Sequence, residues 1–122
     1  MIYAYIDGDD IGLRIEHSFM SNDEVALKNI NNDVKLMVDK ITKYLIENKA
    51  KIIFSGADGI ICKSDELDIK RIIEFIRNIG KGISFSIGVG SSLREAFLAL
   101  RYAKASGKNI AAEYNNNFSL IR

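Results

Sequence analysis

Apolar residues recur at every third or fourth position in three segments of the chain, and this spacing places them on one face of an α-helix. The segments cover residues 23–47, 65–79 and 92–106. Ser21 and Glu24 fit a capping box at the start of the first segment, because their hydroxyl and carboxylate can accept hydrogen bonds from free backbone amides. The pattern therefore predicts three amphipathic helices.

The other two predicted helices also have candidate caps. Ser64 or Asp65 precedes the second helix, and Ser92 with Glu95 forms another capping box before the third. We expect these helices to begin close to those residues.

Short runs of β-branched and aromatic residues lie between the helical segments and are typical of strands. They predict strands at 1–7, 51–55, 60–63 and 83–90, an edge strand at 109–114, and a loop at 115–117 before a short tail. The tetrapeptide GADG at 56–59 separates two of these strands, and Asp-Gly tolerates the positive φ angles of a tight turn. Asp58 is therefore expected at the tip of a β-hairpin.

The order of the first six elements is strand, helix, strand, strand, helix, strand, which is the ferredoxin-like βαββαβ arrangement. We expect an α+β fold in a single domain over residues 1–122, with helices on one face of an antiparallel sheet and an extra C-terminal helix and edge strand. In that topology the first strand lies beside the hairpin. The end of the first strand and the hairpin tip should then be neighbours.

Composition excludes several classes of partner. The chain has 17 Lys and Arg residues against 16 Asp and Glu residues, so its formal charge of +1 indicates no general affinity for long nucleic acids or anionic membranes. No apolar stretch approaches the roughly 20 residues of a membrane span, and the N-terminus lacks a basic start and a cleavage site. The single cysteine, Cys62, lies in an apolar run and is expected to be a buried strand residue, which fits a reducing cytoplasm.

Four acids mark the candidate chemistry. The stretch IDGDDIG at 6–12 carries Asp7, Asp9 and Asp10, and the hairpin adds Asp58. Converging carboxylates repel unless a cation neutralises them. Because the chain has one His and one Cys, the cation should be one that prefers oxygen ligands, Mg²⁺ or Mn²⁺. The residues alone leave two interpretations equally open, a metal site at Asp7 and Asp58 or two independent polar turns.

Basic residues and glycines add a possible phosphate site. Arg101, Lys104 and Lys108 share one face of the last helix and its exit turn, where they could clamp a polyphosphate or simply complement the helix dipole. Gly8 and Gly12 bracket the acids, so backbone amides there can approach a ligand.

The motifs YIDGDDIG, FSGADGII, FSIGVG and ALRYAKASGKN, in that order, resemble the catalytic palm of the GGDEF nucleotide cyclases. Within that superfamily the chain is similar to the minimal CRISPR polymerases, which are small relatives of the polymerase-like subunit of type III CRISPR complexes. The resemblance covers residues 1 to about 114.

The resemblance implies roles for individual residues. Asp7 and Asp58 would hold the metal ions, with Gly8 as a further metal-contacting position, and GADGI at 56–60 would stand in for GGDEF. The positions that would contact substrate are Gly8, Asp9, Asp10, Ile11, Gly12, Gly56, Ala57, Lys104 and Lys108.

Two departures from the family pattern affect these roles. Gly59 replaces the fourth-position acid, so one metal ligand is missing or is supplied by Asp9 or Asp10. The asparagine that reads guanine in diguanylate cyclases has no match in GLRIEH at 12–17, which makes adenine the favoured base. Base specificity would then be set within residues 13–22, where Arg14 and Glu16 are candidates.

The implied function is a nucleotidyltransferase that condenses nucleoside triphosphates, with ATP favoured, into a cyclic di- or oligonucleotide with release of pyrophosphate. One domain of this size holds about one triphosphate, so a homodimer or higher homo-oligomer is expected. In the family such products control a cyclic-nucleotide-sensing effector in bacterial antiphage defence.

Three alternatives stay open. The same palm and metal acids occur in the archaeal GTP cyclohydrolase III, a hydrolase, and Gly59 also suits a degenerate palm that binds nucleotide without turnover. A phosphoacceptor module of the receiver type also has paired acids after its first strand. Receivers alternate strand and helix regularly, however, and the GADG hairpin breaks that alternation.

Overall fold

The computed structural model describes residues 1–80 and 82–122. Within them the chain forms six strands and four helices. In chain order they are β1 (Ile2–Gly8), α1 (Ile11–Met20), α2 (Glu24–Glu47), β2 (Lys51–Gly56), β3 (Gly59–Ser64), α3 (Ile69–Ile79), β4 (Phe85–Gly90), α4 (Leu93–Ala105), β5 (Ala111–Asn115) and β6 (Asn117–Ile121).

The strands form one sheet in the order β2-β3-β1-β4-β5-β6. The central strand β1 pairs antiparallel with β3 on one side and with β4 on the other. This arrangement of the first four strands confirms the ferredoxin-like α+β prediction. Outside this antiparallel unit, β5 follows helix α4 and joins β4 in parallel, so the whole sheet is mixed.

The predicted short tail forms a sixth strand, so β6 and not the strand predicted at 109–114 is the edge of the sheet. Asn116 adopts a left-handed backbone with a φ of 64° and reverses the chain. β6 then pairs antiparallel with β5 from Asn115–Asn117 to Ala111–Ile121. Asparagine tolerates this conformation better than most residues, so the Asn run predicted as a loop is a hairpin turn.

The main core lies between α2, α3 and one face of the sheet. Side chains alternate between faces along a strand, and Ala4 and Ile6 of β1 point to this core together with Ile60 and Cys62 of β3. Cys62 is fully buried, as predicted, and burial raises the pKa of its thiol to about 11.

The last helix packs on the opposite face of the sheet. There β4 presents Ser86, Gly88 and Gly90, and a Cβ atom on Gly88 would overlap the Ala96 carbonyl oxygen and the Leu100 amide nitrogen. α4 therefore lies backbone to backbone on β4. The helices of the βαββαβ unit share one face, as expected, and the additional helix covers the other.

Two of the predicted helix caps were wrong. Ser21 is the C-cap of α1, so it cannot begin α2, and Asp23 accepts the capping hydrogen bond from the Ala26 amide instead. The Ser64 hydroxyl donates to the Glu66 carbonyl, and α3 begins four residues after Asp65 with Asp68 as its cap.

The predicted N-terminus of α4 is confirmed. The Ser92 hydroxyl accepts from the Glu95 amide, and the Glu95 carboxylate accepts from the amide and hydroxyl of Ser91. Across residues 1–80 and 82–122, no helix is both long enough and apolar enough to span a membrane.

The close approach of α4 to β4 generates a paired stability prediction. Gly88→Ala should lower the free energy of unfolding by at least about 2 kcal/mol, because the added methyl group must displace the α4 backbone. Gly12→Ala places its methyl group in open space within α1 and should raise that free energy by up to about 1 kcal/mol through helix propensity. Urea unfolding followed by circular dichroism measures both, and equal stabilities would contradict the packing.

Candidate active site

The two acidic turns meet at one end of the sheet. Asp7 pairs across the ladder with Gly59, and the Gly8 amide donates to the Asp58 carbonyl at 2.9 Å. A Cβ atom on Gly8 would lie 2.9 Å from the Ile11 side chain and 3.5 Å from Asp58 Cβ, so glycine lets these segments approach. The expected proximity of the β1 end and the hairpin tip is therefore present in the structure.

The hairpin tip differs in detail from the expected Asp-Gly turn. Its two turn residues are Ala57 and Asp58, and the left-handed conformation belongs to Ala57, with a φ of 49°. Gly59 has another reason to lack a side chain, because a Cβ atom there would lie 3.2 Å from the Asp7 carboxylate. The departure from the family acid thus leaves room for Asp7.

Electrostatics at the turns favour a positive charge. Burial raises the pKa of Asp7, and the negative charges of Asp58 and Asp9 act in the same direction against the opposing effect of Lys104. The pKa of the Tyr5 hydroxyl is also raised, first by burial and then by Asp7 and Asp58. Tyr5, Asp7 and Asp58 therefore share one region of negative potential.

The cation already in this region is Lys104, which α4 carries over the β1 end. Its ammonium group lies 2.8 Å from the Gly8 carbonyl oxygen, 3.0 Å from Asp9 Oδ1 and 3.1 Å from Asp7 Oδ2. Burial would lower the pKa of Lys104, but the bonds to Asp9 and Asp7 outweigh it and raise that pKa. Lys104 is thus brought to the predicted site, where it contacts the acids.

Asp9 is buried, with 5% of its surface exposed. Its carboxylate accepts hydrogen bonds from the Ser84 hydroxyl at 2.6 Å, the Ser86 hydroxyl at 2.7 Å, the Asn109 amide at 2.9 Å and Lys104. Burial alone would raise the pKa of Asp9, but these donors together lower it. The structure therefore places Asp9 beneath the site, with both oxygens already engaged.

Asp10 and Lys108 form an ion pair above the buried network. Asp10 is the left-handed N-cap residue of α1, and its side chain makes no capping hydrogen bond within the helix. Lys108 is also left-handed, with a φ of 65°, in the turn after α4. Both side chains remain partly exposed, beside the first turn of α1.

Arg101 does not join these two lysines. Its guanidinium group lies over the Phe97 ring, 5.8 Å from the ring centre, on the exposed side of α4. Helical spacing had grouped Arg101 with Lys104 and Lys108, but the structure does not bring Arg101 to the site of the two lysines.

A cavity of about 890 Å³ adjoins the acidic turns, between α1, α2 and the hairpin. Its wall includes four of the predicted substrate positions, Ile11, Gly12, Gly56 and Ala57, as well as Asp58. The polar residues that α2 contributes to this wall are Lys28, Asn31, Lys35 and Asp39. A second cavity of about 670 Å³ surrounds the start of α3 and contains none of the predicted site residues.

The polar α2 residues in the cavity wall had not been predicted from the sequence as part of a site. Asn31, Lys35 and Asp39 are spaced by four, a polar stripe that is usually only the solvated side of a helix. Of the two predicted candidates for base specificity, Arg14 donates to the Gly82 carbonyl at 3.3 Å and Glu16 is exposed outside the cavity wall.

The oxygen atoms at the site suit a divalent cation that binds together with phosphate groups. In the part of the chain that the structure describes, no three His, Cys, Asp or Glu side chains form a preformed metal cage. The Asp7 and Asp58 carboxylates and the Gly8 carbonyl nevertheless offer oxygen atoms, and the Lys104 ammonium group lies against Asp7 and Gly8. Mg²⁺ is commonly bound by one or two carboxylates together with substrate phosphates.

The opposite pKa shifts of Asp7 and Asp9 generate a stability prediction. A lowered pKa means that ionised Asp9 stabilises the fold above its unfolded pKa of about 3.9 and that this contribution is lost as the pH falls. Asp9→Asn should then lower the free energy of unfolding at pH 7 by about 1–3 kcal/mol, because an amide cannot accept from every donor.

Asp7→Asn should behave differently in the absence of divalent cations. Because folding raises the pKa of Asp7, its ionised form is disfavoured in the native state, and the neutral variant should be at least as stable as the wild type. Urea unfolding at pH 7 with a chelator compares the two variants. A larger loss for Asp7→Asn than for Asp9→Asn would contradict this division of roles.

Comparisons with known proteins agree with the fold. The structure is similar to the X-ray structure of a diguanylate cyclase/phosphodiesterase from Caldicellulosiruptor saccharolyticus, with a TM-score of 0.57 and 21% sequence identity over 97% of this chain and 78% of that one. No curated protein matches the chain. The family model of the minimal CRISPR polymerase domain matches residues 3–114. The chain therefore belongs to the minimal CRISPR polymerase domain family and has the palm-type fold of nucleotide cyclases and polymerases.

Proposed function

We propose that the protein is a metal-dependent nucleotidyltransferase that condenses nucleoside triphosphates, ATP in the first place, into a cyclic di- or oligonucleotide. The observation that carries the proposal is the junction of the β1 end and the hairpin tip. It brings Asp7, which contacts Lys104, together with Asp58 beside a cavity large enough for a nucleoside. Paired carboxylates beside a cationic turn are the arrangement that phosphoryl-group chemistry requires.

The nucleotide would lie across this junction. Its base would occupy the cavity between α1 and α2, where Asn31, Lys35 and Asp39 offer hydrogen bonds to a base edge. Its triphosphate would follow the first turn of α1, where the backbone amides of Ile11 and Gly12 have no acceptor within the helix. Lys108 would balance the phosphate charge from the other side.

The reaction would join an acceptor ribose hydroxyl to the α-phosphorus. A new P–O bond forms, the bond to the β-phosphate breaks, and pyrophosphate leaves with the electron pair while the hydroxyl proton passes to solvent. Mg²⁺ or Mn²⁺ bound at Asp7 and Asp58 would supply the acidification of that hydroxyl and the stabilisation of charge on the phosphate. The role of Asp7 and Asp58 would be to hold the cation, so no side chain has to act as a dedicated base.

A second nucleotide must come from a second copy of the chain. The face of the sheet that carries Asp7 also carries Tyr3 and Tyr5 of β1 with Phe54 and Ile61 of the hairpin, and Phe54 is 54% exposed. α4 covers the β4 side of this face and leaves the β2 side open. We propose that the productive state is a homodimer or higher homo-oligomer in which two sites face each other.

The proposed biological setting is antiphage signalling in the cytoplasm, with a cyclic-nucleotide-sensing effector as the downstream partner. This part of the proposal rests on membership of the minimal CRISPR polymerase domain family. The product would be the link between the two proteins.

A direct activity test uses purified protein, each nucleoside triphosphate and Mg²⁺ or Mn²⁺. We expect pyrophosphate release with ATP and a cyclic product by mass spectrometry. Asp58→Ala should reduce the rate at least about 100-fold because the cation loses a carboxylate ligand. Asp65→Ala is the matched control, since Asp65 is an exposed acid at the other cavity and its loss should leave the rate unchanged.

Three outcomes would count against parts of the proposal. No pyrophosphate with any nucleotide would contradict the reaction, and full activity in Asp58→Ala would contradict the site. Ring-opened guanine from GTP would identify a hydrolase like GTP cyclohydrolase III.

The second candidate function is a palm that binds nucleotide without turnover, and it is favoured by Gly59 in place of the family acid. Calorimetric binding of ATP with metal, in the absence of any product, would distinguish this candidate from the polymerase.

A further inference from the structure

The ammonium group of Lys104 has no donor left for a phosphate. A lysine side chain carries three N–H donors. Three oxygen atoms lie at 2.8–3.1 Å from its nitrogen, on Gly8, Asp9 and Asp7, and the Asp7 carbonyl lies slightly farther away at 3.4 Å. The phosphate contact that the sequence predicts for Lys104 therefore requires that the side chain first release some of these partners.

The three partners are not equally replaceable. Asp9 is buried and fixed by Ser84, Ser86 and the Asn109 amide, so its bond to Lys104 is the anchored one. The Asp7 side chain is 23% exposed, and its carboxylate and the neighbouring Gly8 carbonyl are the oxygens proposed for the divalent cation. An ammonium group and a divalent cation cannot both occupy these two oxygens, because the charges repel at such distances.

We propose that Lys104 is an exchangeable cation. In the nucleotide-free protein its ammonium group takes the place of the divalent cation at Asp7 and Gly8. When metal and nucleotide bind together, Lys104 keeps Asp9 and transfers the released donors to the phosphates. The inference rests on the proposed function and deepens it, because it names the residue that couples the metal to the nucleotide.

Metal binding and nucleotide binding are coupled because the displaced ammonium group of Lys104 needs new partners. Metal alone must push Lys104 off Asp7 and leave a partly buried charge short of partners, which is costly. Metal with a triphosphate offers phosphate oxygens to the same group, so the cost disappears. Metal and nucleotide should therefore raise each other's affinity by the same factor.

Lys108, in the turn that follows α4, provides a matched control. It pairs with Asp10 and makes no contact with Asp7 in the structure's described residues. Removing Lys108 should weaken phosphate binding without changing the affinity of the free protein for metal.

The experiment measures Mn²⁺ binding to the nucleotide-free protein from the signal of free Mn²⁺ in electron paramagnetic resonance. Lys104→Met should bind Mn²⁺ about tenfold more tightly than the wild type, because the competing ammonium is gone, a change within the usual range of coupling between sites. Lys108→Met should bind it as the wild type does. Equal or weaker binding by Lys104→Met would overturn the proposal.

A second measurement uses an ATP analogue with a methylene group between the α- and β-phosphates, which cannot be condensed. With a chelator present, Lys108→Met should weaken analogue binding, and Lys104→Met should not, because Lys104 is held by the carboxylates. With Mn²⁺ present, both variants should bind the analogue more weakly. Weakened chelator-state binding in Lys104→Met would also overturn the exchange.

Folding and the proposed function are controlled separately. If Lys104→Met does not fold, Lys104→Gln retains an amide donor for Asp9 and serves in the same titrations with the same expected directions. If the analogue does not bind even with Mn²⁺, the proposed function fails, whereas the Mn²⁺ titration of the nucleotide-free protein still decides whether Lys104 occupies the cation position.

Discussion

The buried carboxylate of Asp9 is the interaction on which the geometry of the site depends. It binds two serine hydroxyls at the start of β4, the Asn109 amide after α4 and the ammonium group of Lys104. One ion therefore joins the β1–α1 turn to the two segments that complete the site. A charge buried this deeply is tolerated only when its partners are in place, so the native burial of Asp9 requires these segments to be correctly assembled.

The second constraint is the distance between α4 and the sheet. Gly88 and Gly90 on β4 lie against the backbone of Ala96 and Leu100 on the helix, so two backbones pack without intervening side chains. A bulkier residue on either side would lift α4 and withdraw Lys104 from the β1 end. These glycines thus set the position of a cation that lies about one to two helical turns farther along α4.

Much of the fold could be predicted because it depends on local patterns. Helical spacing and the GADG turn gave the ferredoxin-like order and the meeting of Asp7 with Asp58. Contacts between distant parts of the chain could not be predicted in the same way. β5 joins β4 in parallel because helix α4 connects the two strands across the opposite face of the sheet, and no local pattern in β5 indicates this direction. At the site, spacing could not separate Asp9, which the structure buries, from Asp10, or reveal that a polar stripe on α2 lines a cavity.

The central claim is that Asp7 and Asp58 hold a divalent cation on a nucleotide whose phosphates lie at the β1–α1 turn. A crystal structure with Mn²⁺ and the non-condensable ATP analogue, read through the anomalous signal of manganese, tests it most directly. The account predicts manganese in contact with both carboxylates and Lys104 on a phosphate oxygen. Manganese away from Asp58, or phosphates away from the first turn of α1, would contradict it.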